Sequence, residues 1–314
     1  WDAGRISIAG KLAVYAKCLV VIGAFWYVPL GSAAAMRRLK LLRHKLALAV
    51  GILLAILTPA PKSAWFQQSW LMKQVLKYFR ASVVGESPPS GRQAVYGMAP
   101  HGIVPFSLGL TAFGGLNKIM GGLRIVTATA TRLVPFFSHT LRFGGSIYAN
   151  REVVDAALAR GESLGITPGG IAEMFYGYPQ PGCHRLVEYA VLNKRKGFVK
   201  LAIKYGTDLV PTFIFGASKL YRRIVLPKIV EDISNYLRMS MVLFYGRLGL
   251  PIPFEIPMTY ALGHAIETSH WGSPKNPAPE VVDFVHNTFK AGLVRAFDDH
   301  KTAYGWGDRT LKLV

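Results

Sequence analysis

Two short stretches of this 314-residue sequence carry side chains that could do acid–base chemistry. The stretch APHGIVPFS at 99–107 places His101 between a proline and a glycine, directly after an apolar run. The stretch ITPGGIAEMF at 166–175 places Glu173 after a Gly-Gly turn. A neutral imidazole can take a proton from a hydroxyl group at physiological pH, and a nearby carboxylate can orient it or balance its charge. The pair is therefore a candidate general base with an acidic partner.

Each motif also has an ordinary structural interpretation. A histidine beside proline and glycine is often a turn or core residue, and a Pro-Gly-Gly turn before a glutamate is common at a helix start. Position favours the functional interpretation: the run 93–99 predicts a buried strand, and ligands of open α/β sheets bind beyond the carboxyl ends of strands. The backbone N–H groups of Gly102, Gly169 and Gly170 are candidate donors to a developing oxyanion.

A third motif is a run of basic residues before and along a predicted helix at 197–205. Arg195 and Lys196 precede this helix. Lys196, Lys200 and Lys204 recur every four residues and so share one helical face. The N-terminus of a helix binds phosphate through its free N–H groups and its dipole. We predict a phosphate site at Arg195, Lys196 and Lys200, against the alternative that this basic face is only solvated.

The elements that must position these residues follow an α/β pattern. From about residue 65, short apolar runs alternate with amphipathic segments, separated by glycines and prolines. The predicted strands are 93–99, 124–129, 163–167, 209–215 and 240–245. The predicted helices are 66–80, 104–113, 150–160, 197–205 and 280–297.

The N-terminal part of the chain is more apolar than the rest. The charge-free segment 18–36 would reach roughly 28 Å as a helix, close to the hydrocarbon thickness of a bilayer. A second segment, 46–61, fits a re-entrant or interfacial helix as well as a tilted span. The basic stretch RRLKLLRHK at 37–45 lies between them and could bind lipid headgroups. These features predict a membrane span at 18–36 and a membrane-associated segment at 46–61.

Composition separates the chain into two regions. We predict a membrane-associated region at 1–84 and a catalytic domain at 85–314, joined by the linker GESPPSG at 85–91.

The charge and the cysteines limit the classes of partner that we expect. The net charge of +20 suits lipid headgroups, polyphosphorylated substrates or nucleic acid. No nucleic-acid recognition signature accompanies it, so a nucleic-acid partner is not expected. Cys18 and Cys183 are too few for a disulfide framework and lack zinc or redox spacing, so no metal is expected.

Four motifs in order carry a family resemblance. They are His101 in PHG, PGG-x-x-E at 168–173, RKGFVKLA at 195–202 and LVPTFIFG at 209–216. Together with YGRLGLPIPFEIPMTYALGHAI, they resemble the type 2 diacylglycerol acyltransferase family, which also includes monoacylglycerol and wax-ester acyltransferases. The resemblance runs from about residue 94 to 266.

This resemblance implies a mixed central sheet flanked by helices, behind an N-terminal membrane hairpin. It implies acyl transfer from acyl-CoA, a substrate rather than a bound cofactor, to the hydroxyl group of diacylglycerol, which is a neutral glycerolipid. Monoacylglycerol or a fatty alcohol is the alternative acceptor, and a non-catalytic lipid-binding member is a further alternative. The implied location is the endoplasmic reticulum membrane, with the catalytic part facing the cytosol, and the lipid droplet is a second location. The oligomeric state is left open.

The sequence also departs from the family. Many members carry His or Glu where this chain has Ala99, and Ala217 replaces the acid of the family's FGE motif. The wider glycerolipid acyltransferase superfamily has an aspartate five residues after the histidine, where this chain has Phe106. Glu173 is therefore the expected acidic partner of His101.

Overall fold

The computed structural model describes residues 4–58, 60–86, 91–134, 136–237 and 242–314, and most of the predicted linker 85–91 lies outside these ranges. Over the described residues the α-helices are α1 Ile8–Val21, α2 Ala24–Arg38, α3 Leu42–Leu57, α4 Ala64–Gln68, α5 Trp70–Tyr78, α6 Phe106–Leu110, α7 Gly114–Ile119, α8 Phe137–Phe143, α9 Arg151–Ala159, α10 Gly197–Tyr205, α11 Lys228–Leu237 and α12 Pro279–Tyr304. The β-strands are β1 Ser82–Gly85, β2 Ala94–Ala99, β3 Arg124–Thr127, β4 Ile147–Tyr148, β5 Leu164–Ile166, β6 Val187–Ala190, β7 Asp208–Phe215, β8 Arg222–Arg223, β9 Phe244–Tyr245, β10 Thr259–Leu262 and β11 Thr310–Leu313.

The central sheet of the described chain has seven strands in the order β1-β10-β7-β2-β5-β3-β4. Neighbouring strands are parallel except for the antiparallel pair β10 and β7, so the sheet is mixed, as predicted. β2 lies inside the sheet between β7 and β5, and all of its residues are buried. Burial on both faces explains why β2 is apolar throughout instead of alternating with polar residues.

Side chains of β2 contribute alternately to two hydrophobic cores, one on each face of the sheet. Tyr96 and Met98 pack in a core that includes residues of α1 and α5. Val95 and Ala99 pack in a second core with residues of α10 and α12. Successive side chains of a strand point to opposite faces, so helices cover both faces of this sheet. The predicted α/β fold with flanking helices is confirmed.

Most of the predicted strands are confirmed. The strands predicted at 93–99, 124–129, 163–167 and 209–215 correspond to β2, β3, β5 and β7. Of the strand predicted at 240–245, residues 240 and 241 lie outside the described ranges, residues 242 and 243 are not in a strand, and β9 pairs with β8 in a separate small sheet. The prediction missed the four-residue strands β1 and β10.

The predicted helices differ from the structure mainly at their ends. Those at 150–160 and 197–205 are confirmed as α9 and α10, and the helix predicted at 280–297 continues to the end of α12. The helix predicted at 66–80 is divided at Ser69, whose hydroxyl accepts a hydrogen bond from the Met72 N–H at the start of α5. The helix predicted at 104–113 shortens to α6.

The apolar segment 18–36 forms parts of two helices, which corrects the prediction of one continuous helix. α1 and α2 meet at Gly23, where a Cβ atom would lie 2.2 Å from the carbonyl oxygen of Leu19. Only glycine fits such an approach. Cys18 and Ile22 are buried in the core shared with α5, so this end of α1 packs against the rest of the protein.

The second apolar segment, 46–61, lies largely in α3, which has no buried residue and exposes most of its leucines. Across the described parts of the chain, no helix has both the length and the apolar character that crossing a membrane requires. The two segments of the predicted hairpin, 18–36 and 46–61, lie largely in the three helices α1, α2 and α3. The boundary predicted between residues 84 and 85 falls within β1, which pairs with β10 in the central sheet.

Candidate active site

The sheet brings His101 and Glu173 together although they are 72 residues apart. His101 lies two residues beyond β2, and Glu173 lies in the 3₁₀ helix Gly170–Phe175, which follows the neighbouring parallel strand β5. The carboxyl ends of parallel neighbours meet at one edge of a sheet, where ligands of α/β proteins bind. Both residues are 3% exposed. The predicted pairing of these two residues is thus a feature of the structure.

Three contacts fix the histidine. The backbone N–H of His101 donates to Glu173 Oε2 at 2.9 Å, and the imidazole Nε2 lies 2.7 Å from the carbonyl oxygen of Gly170. Nε2 is also 3.7 Å from Glu173 Oε2. Because a carbonyl oxygen can only accept, Nε2 carries the hydrogen and donates it to Gly170. The neutral ring therefore keeps its lone pair on Nδ1.

Nδ1 of His101 is buried and has no hydrogen-bond partner among the described residues. Buried polar atoms are usually paired, so an unpaired acceptor at a strand end marks a position where a substrate donor could bind. A hydroxyl group at Nδ1 would satisfy this acceptor and lose its proton to it. The geometry thus suits a general base that acts through Nδ1 while Nε2 anchors the ring.

Glu173 is a buried carboxylate held by backbone donors. Its Oε1 accepts from the Val191 N–H at 3.4 Å, and its Oε2 accepts from the His101 N–H. Burial raises the pKa of the Glu173 carboxyl above its usual range, while His101, the two N–H donors and Arg195 act in the opposite direction. A carboxylate in this position stabilises a positive charge on the adjacent imidazole once His101 has accepted a proton.

Two of the three predicted oxyanion glycines make close approaches. A Cβ atom on Gly169 would lie 2.8 Å from the Glu173 carboxyl carbon, so only glycine leaves room for the carboxylate. Gly102 has φ of +74°, and a Cβ atom there would lie 2.3 Å from the carbonyl oxygen of Ala217. The N–H of Gly170 donates to the Thr167 carbonyl, so Gly170 contributes its carbonyl group to the site instead.

Three positions where the sequence departs from the family surround the site. Ala99 is fully buried at the end of β2, and the carbonyl group of Ala217 lies against Gly102. Phe106 begins α6, and its ring packs against Phe79 with centroids 5.2 Å apart. Residue 106 therefore contributes to the core.

Among the described residues, some basic side chains near α10 have an acidic partner and others have none. Lys196 is bonded to Asp283 of α12, and Lys204 donates to Asp155 of α9 at 2.8 Å. Arg195 and Lys200 are exposed. Arg195, which precedes α10, acts electrostatically on Glu173 and lowers its pKa. Arg195 and Lys200 are thus available for an anion, whereas Lys196 is already neutralised.

The sequence prediction missed several residues that hold Glu173 in place. The buried Arg223 guanidinium donates to the carbonyl oxygens of Met174 at 2.6 Å and Gly177 at 2.9 Å, fixing the end of the Glu173 segment. Val191 follows β6, whose partner strand is β11 at the far end of the chain. These contacts join residues that are distant in sequence. Near Arg223, the local sequence shows only an arginine in a short strand, which does not indicate a role at Glu173. Among the described residues, no cluster of His, Cys, Asp and Glu could hold a metal ion.

Comparison with known proteins adds to this geometry. The model of the family described as diacylglycerol acyltransferase matches residues 47–314. The chain is 28% identical to diacylglycerol O-acyltransferase 2 of Rattus norvegicus over 278 residues, covering 78% of this chain and 68% of that protein. It is 27% identical to acyl-CoA wax alcohol acyltransferase 1 of Mus musculus over 276 residues, covering 81% of this chain and 80% of that protein.

One solved structure is also similar over most of its length. It is the crystal structure of a 1-acyl-sn-glycerophosphate acyltransferase from Thermotoga maritima, with a TM-score of 0.40 and 11% sequence identity. The match covers 91% of this chain and 96% of that chain. A likeness at this level supports no functional comparison.

Proposed function

Because the chain belongs to the diacylglycerol acyltransferase family and is an acyl-CoA-dependent acyltransferase, we propose that it transfers the acyl group to the free hydroxyl group of diacylglycerol. The product is triacylglycerol, and CoA leaves as the thiol. One observation carries this proposal: within the described chain, Nδ1 of the buried His101 has no hydrogen-bond partner, and a carboxylate lies beside the same ring. No cofactor is proposed, since the thioester already supplies the activated acyl group.

In the proposed reaction, His101 takes one proton from the acceptor hydroxyl and later gives one to CoA. Nδ1 of His101 takes the hydroxyl proton as the acceptor oxygen attacks the thioester carbonyl carbon, and Glu173 stabilises the imidazolium that forms. The tetrahedral intermediate then collapses, the carbon–sulfur bond breaks, and the imidazolium returns its proton to the sulfur of CoA. His101 is neutral again at the end of the cycle.

The oxyanion of the tetrahedral intermediate needs hydrogen-bond donors. We retain Gly102 and Gly169 as candidates, because both flank the His101–Glu173 pair. We no longer include the N–H of Gly170, which already has a backbone acceptor. One such donor is often worth about 3 kcal/mol in the transition state.

We propose that Arg195 and Lys200 bind phosphate groups of acyl-CoA, with Lys196 contributing only where it exchanges its bond to Asp283. The double variant Arg195→Ala/Lys200→Ala is expected to raise KM for acyl-CoA by about tenfold and to change kcat little, because charge-assisted bonds to phosphate hold substrate equally in ground and transition states. Initial rates at limiting acyl-CoA measure this. The control is Lys275→Ala, an exposed lysine in the segment between β10 and α12. An unchanged KM would place the phosphate contact elsewhere.

The identity of the acceptor is tested directly with labelled acyl-CoA. Membranes containing this protein are incubated with diacylglycerol, monoacylglycerol, a fatty alcohol or a lysophospholipid, and the labelled lipid is identified. We expect label in triacylglycerol. Label in wax ester would instead favour a fatty alcohol, an alternative motivated by the similarity to a wax alcohol acyltransferase. Absence of label in every lipid, with folded protein, would favour a non-catalytic lipid-binding role.

We also propose that α1, α2 and α3 attach the protein to the endoplasmic reticulum membrane, with the lipid droplet as a second location. The exposed leucines of α3 and the basic stretch 37–45 support this, since apolar side chains beside cations favour an anionic lipid interface. Fractionation of cells expressing the chain tests the location: recovery of the protein away from both membranes and droplets would contradict it.

A further inference from the structure

Helix α11 turns its apolar side away from the protein. Ile229, Ile233 and Tyr236 are spaced four and three residues apart and therefore share one face. They are 61%, 40% and 87% exposed, whereas Ser234 on another side of the helix is fully buried. An amphipathic helix normally buries its apolar face, so this orientation leaves apolar surface that an apolar environment would cover.

The exposed face of α11 belongs to a larger apolar surface. We define the α11 patch as Ile224, Val225, Ile229, Ile233, Tyr236 and Leu243, all of which are exposed. The backbone N–H of Ile224 donates to the carbonyl oxygen of Leu243 at 2.9 Å, which joins the strands on either side of α11. Arg222 and Lys228 are exposed cations beside the patch. Apolar residues flanked by cations are typical of a helix that lies in a lipid interface.

The α11 patch lies directly over the segment that carries Glu173. α11 packs against the 3₁₀ helix Gly170–Phe175. Phe175, Val225 and Glu231 line one small cavity between this segment and the patch. Beneath it, Met174 and Phe175 form a hydrophobic cluster with Val242, against which Ile103 and Ile171 pack. Apolar side chains thus connect the patch to the neighbours of His101.

The patch is also linked to the N-terminal helices. The Arg247 guanidinium lies 5.7 Å from the ring centroid of Tyr15 in α1, which brings the turn after β9 against that helix. Leu248 in this turn is highly exposed, as are Ile8 and Leu12 of α1. The turn at Leu248 and helix α1 therefore lie side by side, and both carry exposed apolar residues.

We infer that the α11 patch inserts into the surface of a lipid layer and that the acceptor lipid reaches His101 and Glu173 from this contact. The inference rests on the proposed function, in which acceptor and product are both insoluble in water. A lipid surface is the occupant because the patch is apolar, carries flanking cations and adjoins the site that must exchange lipids.

The first test compares two forms of the acceptor. The variant Ile229→Glu/Ile233→Glu is assayed with long-chain diacylglycerol in phosphatidylcholine vesicles and with a short-chain, monodisperse diacylglycerol. We expect the ratio of the vesicle rate to the soluble rate to fall by at least about tenfold, because carboxylates do not enter an apolar layer. The matched control is Phe284→Glu, an exposed aromatic residue on α12, which should leave the ratio unchanged. A ratio equal to that of the wild type in the double variant would overturn the inference.

The second test does not depend on activity, so it separates this inference from the proposed function. A polarity-sensitive fluorophore is attached at Tyr236→Cys in a Cys183→Ser background, and vesicles of phosphatidylcholine with a minor fraction of phosphatidylserine are added. We expect a blue shift at position 236 and none for a label at Phe284→Cys. A label that stays in water while the protein binds vesicles would overturn the inference. A blue shift of the emission that increases with protein concentration in the absence of lipid would also overturn the inference, since it would identify a second copy of the chain as the occupant.

Discussion

Replacing His101 with alanine is expected to lower kcat by about 10³-fold, because no other group then takes the acceptor proton. The neighbours that orient the ring, the Gly170 carbonyl and the Glu173 carboxylate, cannot replace it: the carbonyl has no basic lone pair of useful strength, and Glu173 is occupied by two backbone donors. The measurement is the rate of triacylglycerol formation in membranes that contain equal amounts of folded protein.

The chain offers a matched control in His286. This histidine is also buried, also has a ring nitrogen without a hydrogen-bond partner among the described residues, and packs edge to face with Phe198. We expect His286→Asn to affect stability rather than kcat. If His101→Ala remained folded and retained a rate within about tenfold of the wild type, the loss would be too small for a general base, and the role of Nδ1 would be excluded.

Replacing Glu173 with glutamine is expected to lower kcat by about 10²-fold and to change the pH dependence of stability in a defined direction. Glutamine has nearly the same shape and still accepts a hydrogen bond, but it cannot balance the charge of an imidazolium. The rate falls for that reason, and KM for acyl-CoA should change little because Glu173 contacts His101 and Val191 rather than the basic residues before α10.

The burial of Glu173 determines the direction in which the Tm of Glu173→Gln, relative to the wild type, changes with pH. The pKa of Glu173 is raised in the folded protein, so its contribution to the free energy of unfolding is fully present below the unfolded-state pKa. That contribution is lost as pH rises through the folded-state pKa. Glutamine does not titrate, so the Tm of Glu173→Gln minus that of the wild type should increase as pH rises through this window. A difference that decreases over the same range would contradict the assignment of Glu173 as a buried, destabilising carboxylate.

Glu188 is a second buried carboxylate, and it differs from Glu173 in that two cationic side chains pair with it. It is equally buried, but Arg309 at 2.6 Å and Lys219 at 2.9 Å pair with it, and the Ser218 hydroxyl donates to it. Removing its charge leaves two cations without their partner, which destabilises a folded protein. We therefore expect Glu188→Gln to lower Tm at neutral pH, with activity falling in proportion to the folded protein lost.

Much of the architecture was predictable because it depends on local signals. The helices α9 and α10 follow from apolar periodicity with a capping residue or a glycine at an end, and the strands β2 and β7 follow from short, mostly apolar runs. The division of 18–36 was not predictable from hydropathy, because it depends on the close approach at Gly23 and on burial of Cys18 against α5.

The sequence alone determined the α/β fold and placed His101 and Glu173 after apolar runs that predict strands, whose carboxyl ends are where ligands of α/β sheets bind. The structure put those strands, β2 and β5, next to each other, although β3 and β4 lie between them in the chain. Only the tertiary structure decided which imidazole nitrogen is free and that Gly170 contributes a carbonyl group. It alone showed Asp283 neutralising Lys196 and the apolar face of α11 turned outward. These features depend on contacts between residues far apart in the chain, for which no local period or propensity exists.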